Sequence, residues 1–305
     1  MSLSDGRVTV VLFFAICGVV LGNGLLAGNR DGRPSLTPSE LDPSLRPDTQ
    51  LRSQSPTQAP TQKTAQSPVW SESSDHGERP NYAAASLDIL PLDARLEGRQ
   101  LAQRLAALRG KEQVIPLGTR AVGIYSMSAP SVAGDHRLVN DYLEGFQPYP
   151  VTNPMLPLYA LAQRKHYQLD AQQYAGRQEV WQTSREAYAF ARGDCEDHAL
   201  ILADWLMAMG EDARVVLGDY RGGGHAWVVL FKNGKEYLLE ATKKSGLTRS
   251  KPYPLASLHR DYHPQLMFNR YDFWQNQGSK YTTRYAGSAW RKQSHYHPSL
   301  LSMTP

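Results

Sequence analysis

The chain contains 305 residues, of which 41% are hydrophobic and 20% are charged, and its formal net charge is +4 at pH 7. This composition is ordinary for a globular protein, and so modest a positive charge provides no electrostatic footprint for nucleic-acid binding. Of the two cysteines, Cys17 lies in an N-terminal apolar segment, so we expect no intrachain disulfide partner for Cys195. We therefore expect a globular protein without a nucleic-acid partner.

The N-terminal apolar segment, residues 8–27, is about 20 residues long, which is just enough to cross a bilayer. It predicts either a signal-anchor helix or a cleavable signal peptide. Leu25 and Leu26 extend the apolar run and favour the anchor. We expect residues 1–28 to hold the protein in the inner membrane as a single-pass protein that faces the periplasm. Cleavage would instead leave a soluble periplasmic protein.

The next segment, residues 29–82, is rich in Pro, Ser, Thr and Gln. It lacks the apolar surface needed to offset the entropy of chain ordering, which predicts a disordered linker. Residues 83–120 are predicted to form a helical extension, because leucines recur with helical spacing over residues 93–109. We expect this helix to dock on the main domain, residues 121–305. The alternatives are that it pairs with a partner or mediates oligomerisation.

Two helices are predicted ahead of the central motif of the chain. One covers residues 157–167, with Pro157 as a suitable first residue. The other covers residues 181–191, where Thr183 or Ser184 is suited to cap the N-terminus.

The most apolar helix is predicted to begin at Cys195. Nearly every residue over 199–209 is apolar and Gly210 follows, which is typical of a buried central helix that ends at a left-handed glycine. Asp194 is placed to cap this helix, so that Cys195 becomes its first residue. The free N–H groups and the positive end of the helix dipole favour a thiolate at that position.

A β-hairpin is predicted after the helix. Two β-rich runs, residues 225–232 and 235–240, flank Asn233-Gly234, which is a strong signal for a two-residue turn. This turn fixes the register of the two strands, so that Trp227 lies opposite Glu240.

The same register makes His225 and Glu240 diagonal neighbours on one face, about 7 Å apart at the backbone. A histidine and a long carboxylate side chain can meet over that distance. A nucleophile, a base and an orienting acid thus follow one another along the chain as Cys195, His225 and Glu240. This is the set of groups that nucleophilic acyl transfer requires.

Three motifs resemble those of the transglutaminase-like, papain-related cysteine peptidase superfamily. They are Gly-Asp-Cys-Glu-Asp-His-Ala at residues 193–199, His-Ala-Trp at residues 225–227 and Leu-Leu-Glu-Ala-Thr at residues 238–242. The Asp-Cys-Glu-Asp signature is similar to that of the calcium-dependent periplasmic cysteine proteases of the LapG type. The resemblance implies an α+β papain/transglutaminase-like core, in which a buried helix carrying the cysteine packs on an antiparallel sheet carrying the histidine and the acid.

The resemblance covers roughly residues 150–245 of the predicted main domain, residues 121–305. It implies that this domain is catalytic and acts on a protein or peptide substrate through a thioester. Its catalytic residues would be Cys195, His225 and Glu240. Whether water or an amine accepts the acyl group is open, so a protein-glutamine transglutaminase or amidase is the alternative enzyme. Many members of the superfamily carry Asp at the position of Glu240, which leaves open a non-catalytic binding module that retains the fold.

Three carboxylates surround the predicted nucleophile, those of Asp194, Glu196 and Asp197. Uncompensated negative charge raises the pKa of a nearby thiol and disfavours its ionised form. A bound cation removes this conflict, and Ca²⁺ prefers such oxygen ligands. The LapG-type resemblance implies that Asp194 and Asp197 hold the ion. The alternative is helix capping together with salt bridges to Arg192 or Arg221.

The tail beyond residue 242 is basic and aromatic, and no helical or strand period persists in it. We expect it to wrap over the core. The alternative is a surface that contacts a peptide or a glycan, because aromatic rings stack on both.

Overall fold

One sheet of eight antiparallel strands runs through residues 80–243 and 254–299, the part of the chain that this computed structural model describes. Every pair of neighbouring strands in the sheet is antiparallel. From one edge to the other the strands are β10 (Lys235–Leu239), β9 (Gly223–Lys232), β8 (Asp212–Tyr220), β11 (Tyr262–Phe268), β12 (Asp272–Asn276), β13 (Trp290–His297), β1 (Ser86–Ile89) and β2 (Ala94–Glu97).

The remaining elements are smaller and lie around this sheet. A three-stranded sheet contains β3 (Ile115–Thr119), β4 (Gly123–Pro130) and β5 (His136–Leu138), and a parallel ladder joins β6 (His166–Tyr167) to β7 (Arg192–Gly193). The helices are α1 (Gly98–Ala106), α2 (Leu156–Arg164), α3 (Asp170–Gln173), α4 (Ser184–Phe190) and α5 (Cys195–Ala208).

Helix α5 lies in the largest hydrophobic core and packs on β8 and β9. Residues 195–206 of this helix are all buried, as expected for a segment that is apolar on nearly every side. Cys195 is its first residue, and Gly210 follows its end with a φ of 84°, as predicted. Asp194 occupies the predicted N-cap position but makes no side-chain capping bond, so its carboxylate is available for other contacts.

The predicted hairpin is confirmed in turn and in register. Strands β9 and β10 pair from Lys232 opposite Lys235 to Val228 opposite Leu239. Asn233 and Gly234 both have positive φ angles, 51° and 69°, which match the right-handed twist of the flanking strands. Continuing the register by one residue brings Glu240 to the level of Trp227, as the sequence predicts.

The predicted α+β fold is therefore confirmed. A buried helix that begins at Cys195 packs on an antiparallel sheet whose strand β9 carries His225 and whose strand β10 leads into Glu240. This is the arrangement of helix and sheet that the motifs of the sequence imply.

The other predicted helices are present but shorter than expected. Helix α4 begins at Ser184, after a capping box in which Thr183 and Glu186 bind each other's backbone N–H groups. Helix α2 ends at Arg164, because the next residues enter strand β6. Helix α1 begins only at Gly98, since residues 94–97 form strand β2 and pair with β1.

The tail beyond residue 242 differs from the prediction of a wrapping segment. Strands β11, β12 and β13 fill the middle of the main sheet, between β8 and β1. Leu266 and Phe273 face the core that contains α5, whereas Met267 and Trp274 face a second hydrophobic cluster. Because both faces are covered, the alternation that identifies a half-buried strand is lost from the sequence.

The predicted location needs correction. Within residues 80–243 and 254–299, no helix is both long enough and apolar enough to cross a membrane. This finding contradicts the prediction of a single-pass inner-membrane protein with a periplasmic domain, and we withdraw it. The apolar run at residues 8–27 that suggested it lies outside the described residues, as do residues 29–79 of the predicted linker.

Candidate active site

Cys195 occupies the N-terminus of α5, where the preceding chain approaches very closely. Its side chain is fully buried, and its Sγ lies 3.4 Å from Glu196 Oε2. A Cβ atom on Gly193 would collide with the side chain of Asp197. Only glycine therefore fits at the position two residues before the cysteine, which gives the Gly-Asp-Cys motif a steric reason.

The Cys195 sulfur is disulfide-bonded in this structure, and no cysteine of the described residues is free. The expectation that Cys195 has no intrachain disulfide partner is therefore wrong. The other cysteine of the sequence, Cys17, lies outside the described residues. Cys195 can act as a nucleophile only as the reduced thiol.

His225 and Glu240 form the second half of the site, on the sheet. The Nε2 atom of His225 lies 2.9 Å from Glu240 Oε2, and the two side chains are 13% and 18% exposed. This contact is the one that the hairpin register predicts. Because Nε2 binds the carboxylate, Nδ1 is the ring nitrogen that is left to exchange a proton with another group.

Glu240 is held by more donors than the sequence suggested. Its Oε1 accepts hydrogen bonds from Thr242 N at 3.0 Å and Thr242 Oγ1 at 2.7 Å. Its Oε2 accepts one from the Tyr262 hydroxyl at 2.7 Å in addition to the contact with His225. Desolvation raises the pKa of Glu240, but the hydrogen bonds and the charge of His225 outweigh it and lower this pKa to about 2.

Aromatic rings enclose His225 on the sheet side. The ring of Trp227 is stacked at 6.2 Å between centroids, and that of Tyr220 lies at 5.4 Å. Tyr262 packs against both Tyr220 and Trp227. The walls around the imidazole are therefore rigid, and the ring orientation is fixed by both stacking and hydrogen bonding.

An acidic cluster lies at the helix half of the site. One carboxylate oxygen each from Asp170, Asp194 and Glu196 lies within 4.8 Å of the others, and all three residues are buried. In the described residues, the Oδ1 atoms of Asp170 and Asp194 have no hydrogen-bond partner. Burial, followed by the charges of Asp194 and Asp197, raises the pKa of Asp170 to about 10. Burial also raises the pKa of Asp194 and that of Glu196.

Asp197 lies next to this cluster but does not belong to it. Its Oδ1 accepts a hydrogen bond of 2.8 Å from Gln182 N. Its other oxygen has no partner among the described residues and faces Gly193. The structure thus groups Asp194 with Asp170 and Glu196, and not with Asp197 as the resemblance implied.

The positive charge near the cluster comes from Lys165, which sequence reasoning missed. This buried side chain lies between α2 and α4, where its Nζ donates to Ala187 O at 2.5 Å. Its charge lowers the pKa of Asp194 and that of Asp197, against the larger opposing effect of burial. The two arginines suggested as counter-charges bind elsewhere, Arg192 to Gln168 and Arg221 to Asp261.

The ladder between β6 and β7 explains how Asp170 reaches the cluster. Tyr167 pairs with Gly193, and Gln168 N donates to Gly193 O at 2.9 Å. These bonds carry the chain past the N-terminus of α5 and into α3, whose first residue is Asp170. A parallel ladder of two residues has no signature in the sequence, which is why Asp170 was not predicted.

Tyr167 links the two halves of the site. Burial and the negative charges of the acidic cluster and of Glu240 raise the pKa of the Tyr167 phenol. Its hydroxyl therefore lies within electrostatic reach of the carboxylates beside Cys195 and of the carboxylate that binds His225.

Comparison with known proteins gives partial matches. Residues 179–298, less than half of the chain, match the family described as CEP76 peptidase-like domain. The centrosomal protein of 76 kDa from Xenopus tropicalis is 42% identical over 55 residues, which is 18% of this chain and 8% of that protein. The chain thus spans less than a tenth of the length of this curated relative.

Solved structures of Legionella pneumophila LapG are similar over a comparable part of the chain. The EGTA-treated form has 19% identity and a TM-score of 0.34, with 44% of this chain and 72% of that chain covered. The calcium-bound form has 18% identity and a TM-score of 0.34, with 45% and 76% covered. Scores this low support no functional inference, so the site has to be judged on its own geometry.

Proposed function

We propose that this chain is a transglutaminase-like cysteine peptidase of the LapG type that cleaves a protein or peptide substrate through a thioester. The observation that carries the proposal is the 2.9 Å contact between His225 Nε2 and Glu240 Oε2 on a sheet packed against the helix that Cys195 opens. It supplies an oriented base beside the helix of a candidate nucleophile.

The chemistry follows from the nitrogen that Glu240 leaves available. His225 Nδ1 takes the proton of the reduced Cys195 thiol, and the sulfur bonds to the carbonyl carbon of the substrate. The backbone N–H of Cys195, as the first residue of the helix, has no acceptor within the helix and binds the developing oxyanion in this proposal. The C–N bond then breaks as Nδ1 returns its proton to the leaving amine, and water hydrolyses the thioester to regenerate the thiol.

The environment of Glu240 supports an enzyme over a binding module. The argument for a non-catalytic binding module is that Glu240 stands where many members of the superfamily carry Asp. Four hydrogen bonds hold the longer side chain in place, and its low pKa keeps it anionic, as an orienting acid must be. Hydrolysis is preferred over transfer to an amine, because the acidic motif around Cys195 is similar to that of the bacterial proteases.

We also propose that the acidic cluster binds Ca²⁺ through Asp170, Asp194 and Glu196. Three buried carboxylates with two unpaired oxygens fit a hard cation that takes six to eight oxygen ligands. The ion would offset the negative charge beside Cys195. Asp197 is not included, because its hydrogen bond from Gln182 N commits one of its oxygens.

A cysteine-directed electrophilic peptide probe tests the proposed enzyme. The reduced full-length chain should be labelled at Cys195, and Cys195→Ala should abolish labelling. His225→Ala should slow labelling by about 10²- to 10⁴-fold, the usual contribution of a general base. His263→Ala is the matched control, since this histidine of β11 has its ring against Tyr281 and should not matter. Equal labelling of wild type and His225→Ala would falsify the proposal.

A further inference from the structure

Tyr262 makes a contact in the site that neither the sequence motifs nor the proposed triad assigns. It is the first residue of β11, pairs with Tyr220 of β8 and is 5% exposed. Its hydroxyl donates a hydrogen bond of 2.7 Å to Glu240 Oε2. A residue 22 positions downstream of the acid thus reaches its carboxylate.

The oxygen that Tyr262 binds is the one that His225 binds. Glu240 Oε2 lies 2.9 Å from His225 Nε2, while Oε1 is taken up by Thr242. Two donors therefore share one acceptor atom. Each hydrogen bond to a carboxylate disperses its negative charge, so Tyr262 sets both where Oε2 lies and how strongly it attracts His225.

Packing prevents the Tyr262 hydroxyl from moving away. The ring is stacked on Tyr220 at 4.3 Å between centroids and meets Trp227 edge-on at 5.1 Å. Burial, together with the charge of Glu240, raises the pKa of the Tyr262 phenol, so this hydroxyl keeps its proton and stays a donor. The carboxylate of Glu240 and the rings of Tyr220 and Tyr262 lie around His225.

We infer that Tyr262 is a positioning residue of the site, whose hydroxyl fixes Glu240 in the conformer that orients His225. The inference rests on the proposed function, in which His225 acts on Cys195. Tyr262 touches neither the substrate nor the reacting atoms and acts through Glu240 alone. Removing its hydroxyl should leave Glu240 with one fixed donor fewer at Oε2 and strengthen the remaining bond from His225.

The test compares Tyr262→Phe with Tyr285→Phe in the reduced full-length chain. Tyr285 is equally buried, but its hydroxyl accepts a bond from Trp227 Nε1 and does not contact Glu240. Proton NMR should show the His225 Nε2–H resonance further downfield in Tyr262→Phe and unchanged in Tyr285→Phe. Probe labelling should slow by about tenfold in Tyr262→Phe only, since small displacements near reacting atoms cost up to about 10²-fold in rate.

The inference is overturned if the His225 resonance of Tyr262→Phe coincides with that of wild type, or if Tyr285→Phe shifts it equally. Failure of the proposed function gives a different result: wild type and His225→Ala are then labelled at the same rate. The NMR comparison of Tyr262→Phe with wild type does not depend on that result. Should Tyr262→Phe not fold, wild type alone suffices. An NOE between His225 Nε2–H and the Tyr262 hydroxyl proton is expected, and its absence contradicts the shared acceptor.

Discussion

The two halves of the candidate site use the same chemical group in opposite ways. On the sheet, Glu240 accepts four hydrogen bonds and has its pKa lowered to about 2. At the N-terminus of α5, the acidic cluster is buried with unpaired oxygens, and the pKa of Asp170 is raised to about 10. Donors, and not burial alone, decide whether a buried carboxylate stays charged.

The difference has a functional meaning. The sheet half is complete within the chain, since His225, Thr242 and Tyr262 provide every donor that Glu240 needs. The helix half is incomplete, because its carboxylates require either protons or a cation. We therefore expect the contact between Glu240 and His225 to be independent of calcium, whereas the surroundings of Cys195 should respond to calcium.

The largest expected effect follows from removing the charge on the sheet side. Glu240→Gln keeps the size of the side chain but cannot hold the imidazole in the same tautomer. Labelling of Cys195 should fall by about 10³- to 10⁴-fold, by analogy with the orienting acid of catalytic triads. Glu211→Gln is the control, because that carboxylate binds Lys232 away from the site. A loss below about threefold in Glu240→Gln would mean that this acid does not orient the base.

Asp204 on α5 sharpens the comparison, because this carboxylate is buried but has an arginine as its partner. Asp204 binds Arg270 Nε at 2.7 Å and is fully buried. Arg270→Ala should lower the free energy of unfolding by about 3–5 kcal/mol, since it leaves a buried charge without its partner. Arg95→Ala, which breaks a largely exposed pair with Asp88, should cost far less, because water screens exposed ion pairs. Equal costs in urea unfolding would contradict this account.

Calcium should stabilise the helix half. A ligand at 100 times its Kd adds about 2.7 kcal/mol to the free energy of unfolding. Thermal unfolding of wild type should therefore shift upward with Ca²⁺ and less with Mg²⁺, which dehydrates reluctantly. Asp194→Asn should abolish the shift, whereas Asp219→Asn, whose carboxylate binds Gln265, should retain it. If calorimetry detects no Ca²⁺ binding to wild type, the cluster is protonated instead.

The smallest effect concerns Asp141, a carboxylate between the two extremes. Desolvation raises its pKa to about 6, although Tyr296 and Tyr82 donate hydrogen bonds to it. A raised pKa means that the folded state binds the proton more tightly than the unfolded chain, whose Asp titrates near pH 3.9. The stability it contributes is thus full below about pH 3.9 and is lost as the pH rises through about 6.

Comparison with Asp141→Asn separates the pH-dependent stability due to Asp141 from that due to the other titrating groups. Between pH 4 and pH 7, wild type should lose about 2 kcal/mol of unfolding free energy relative to the variant. Parallel curves for the two proteins would show that Asp141 has the same proton affinity folded and unfolded.

The parts of the structure that the sequence predicted are those encoded by short-range patterns. The apolar run fixed the helix that begins at Cys195, and Asn233-Gly234 fixed the register that brings His225 to Glu240. Contacts between distant segments were missed, such as Asp170 and Tyr262, because no local period or turn signal encodes them. Strands β11 and β12 were missed for another reason: their side chains face a hydrophobic cluster on each side of the sheet, so they carry no alternation.

The central claim is that the His225–Glu240 pair makes the reduced Cys195 thiol a nucleophile toward acyl groups. Intact-mass spectrometry of the reduced full-length chain, mixed with an activated acyl ester, tests it most directly. Wild type should gain one acyl group, located on Cys195 by peptide mapping, and His225→Ala should gain it at least about 10²-fold more slowly. Acylation at the same rate in His225→Ala, or on a residue other than Cys195, would contradict the account.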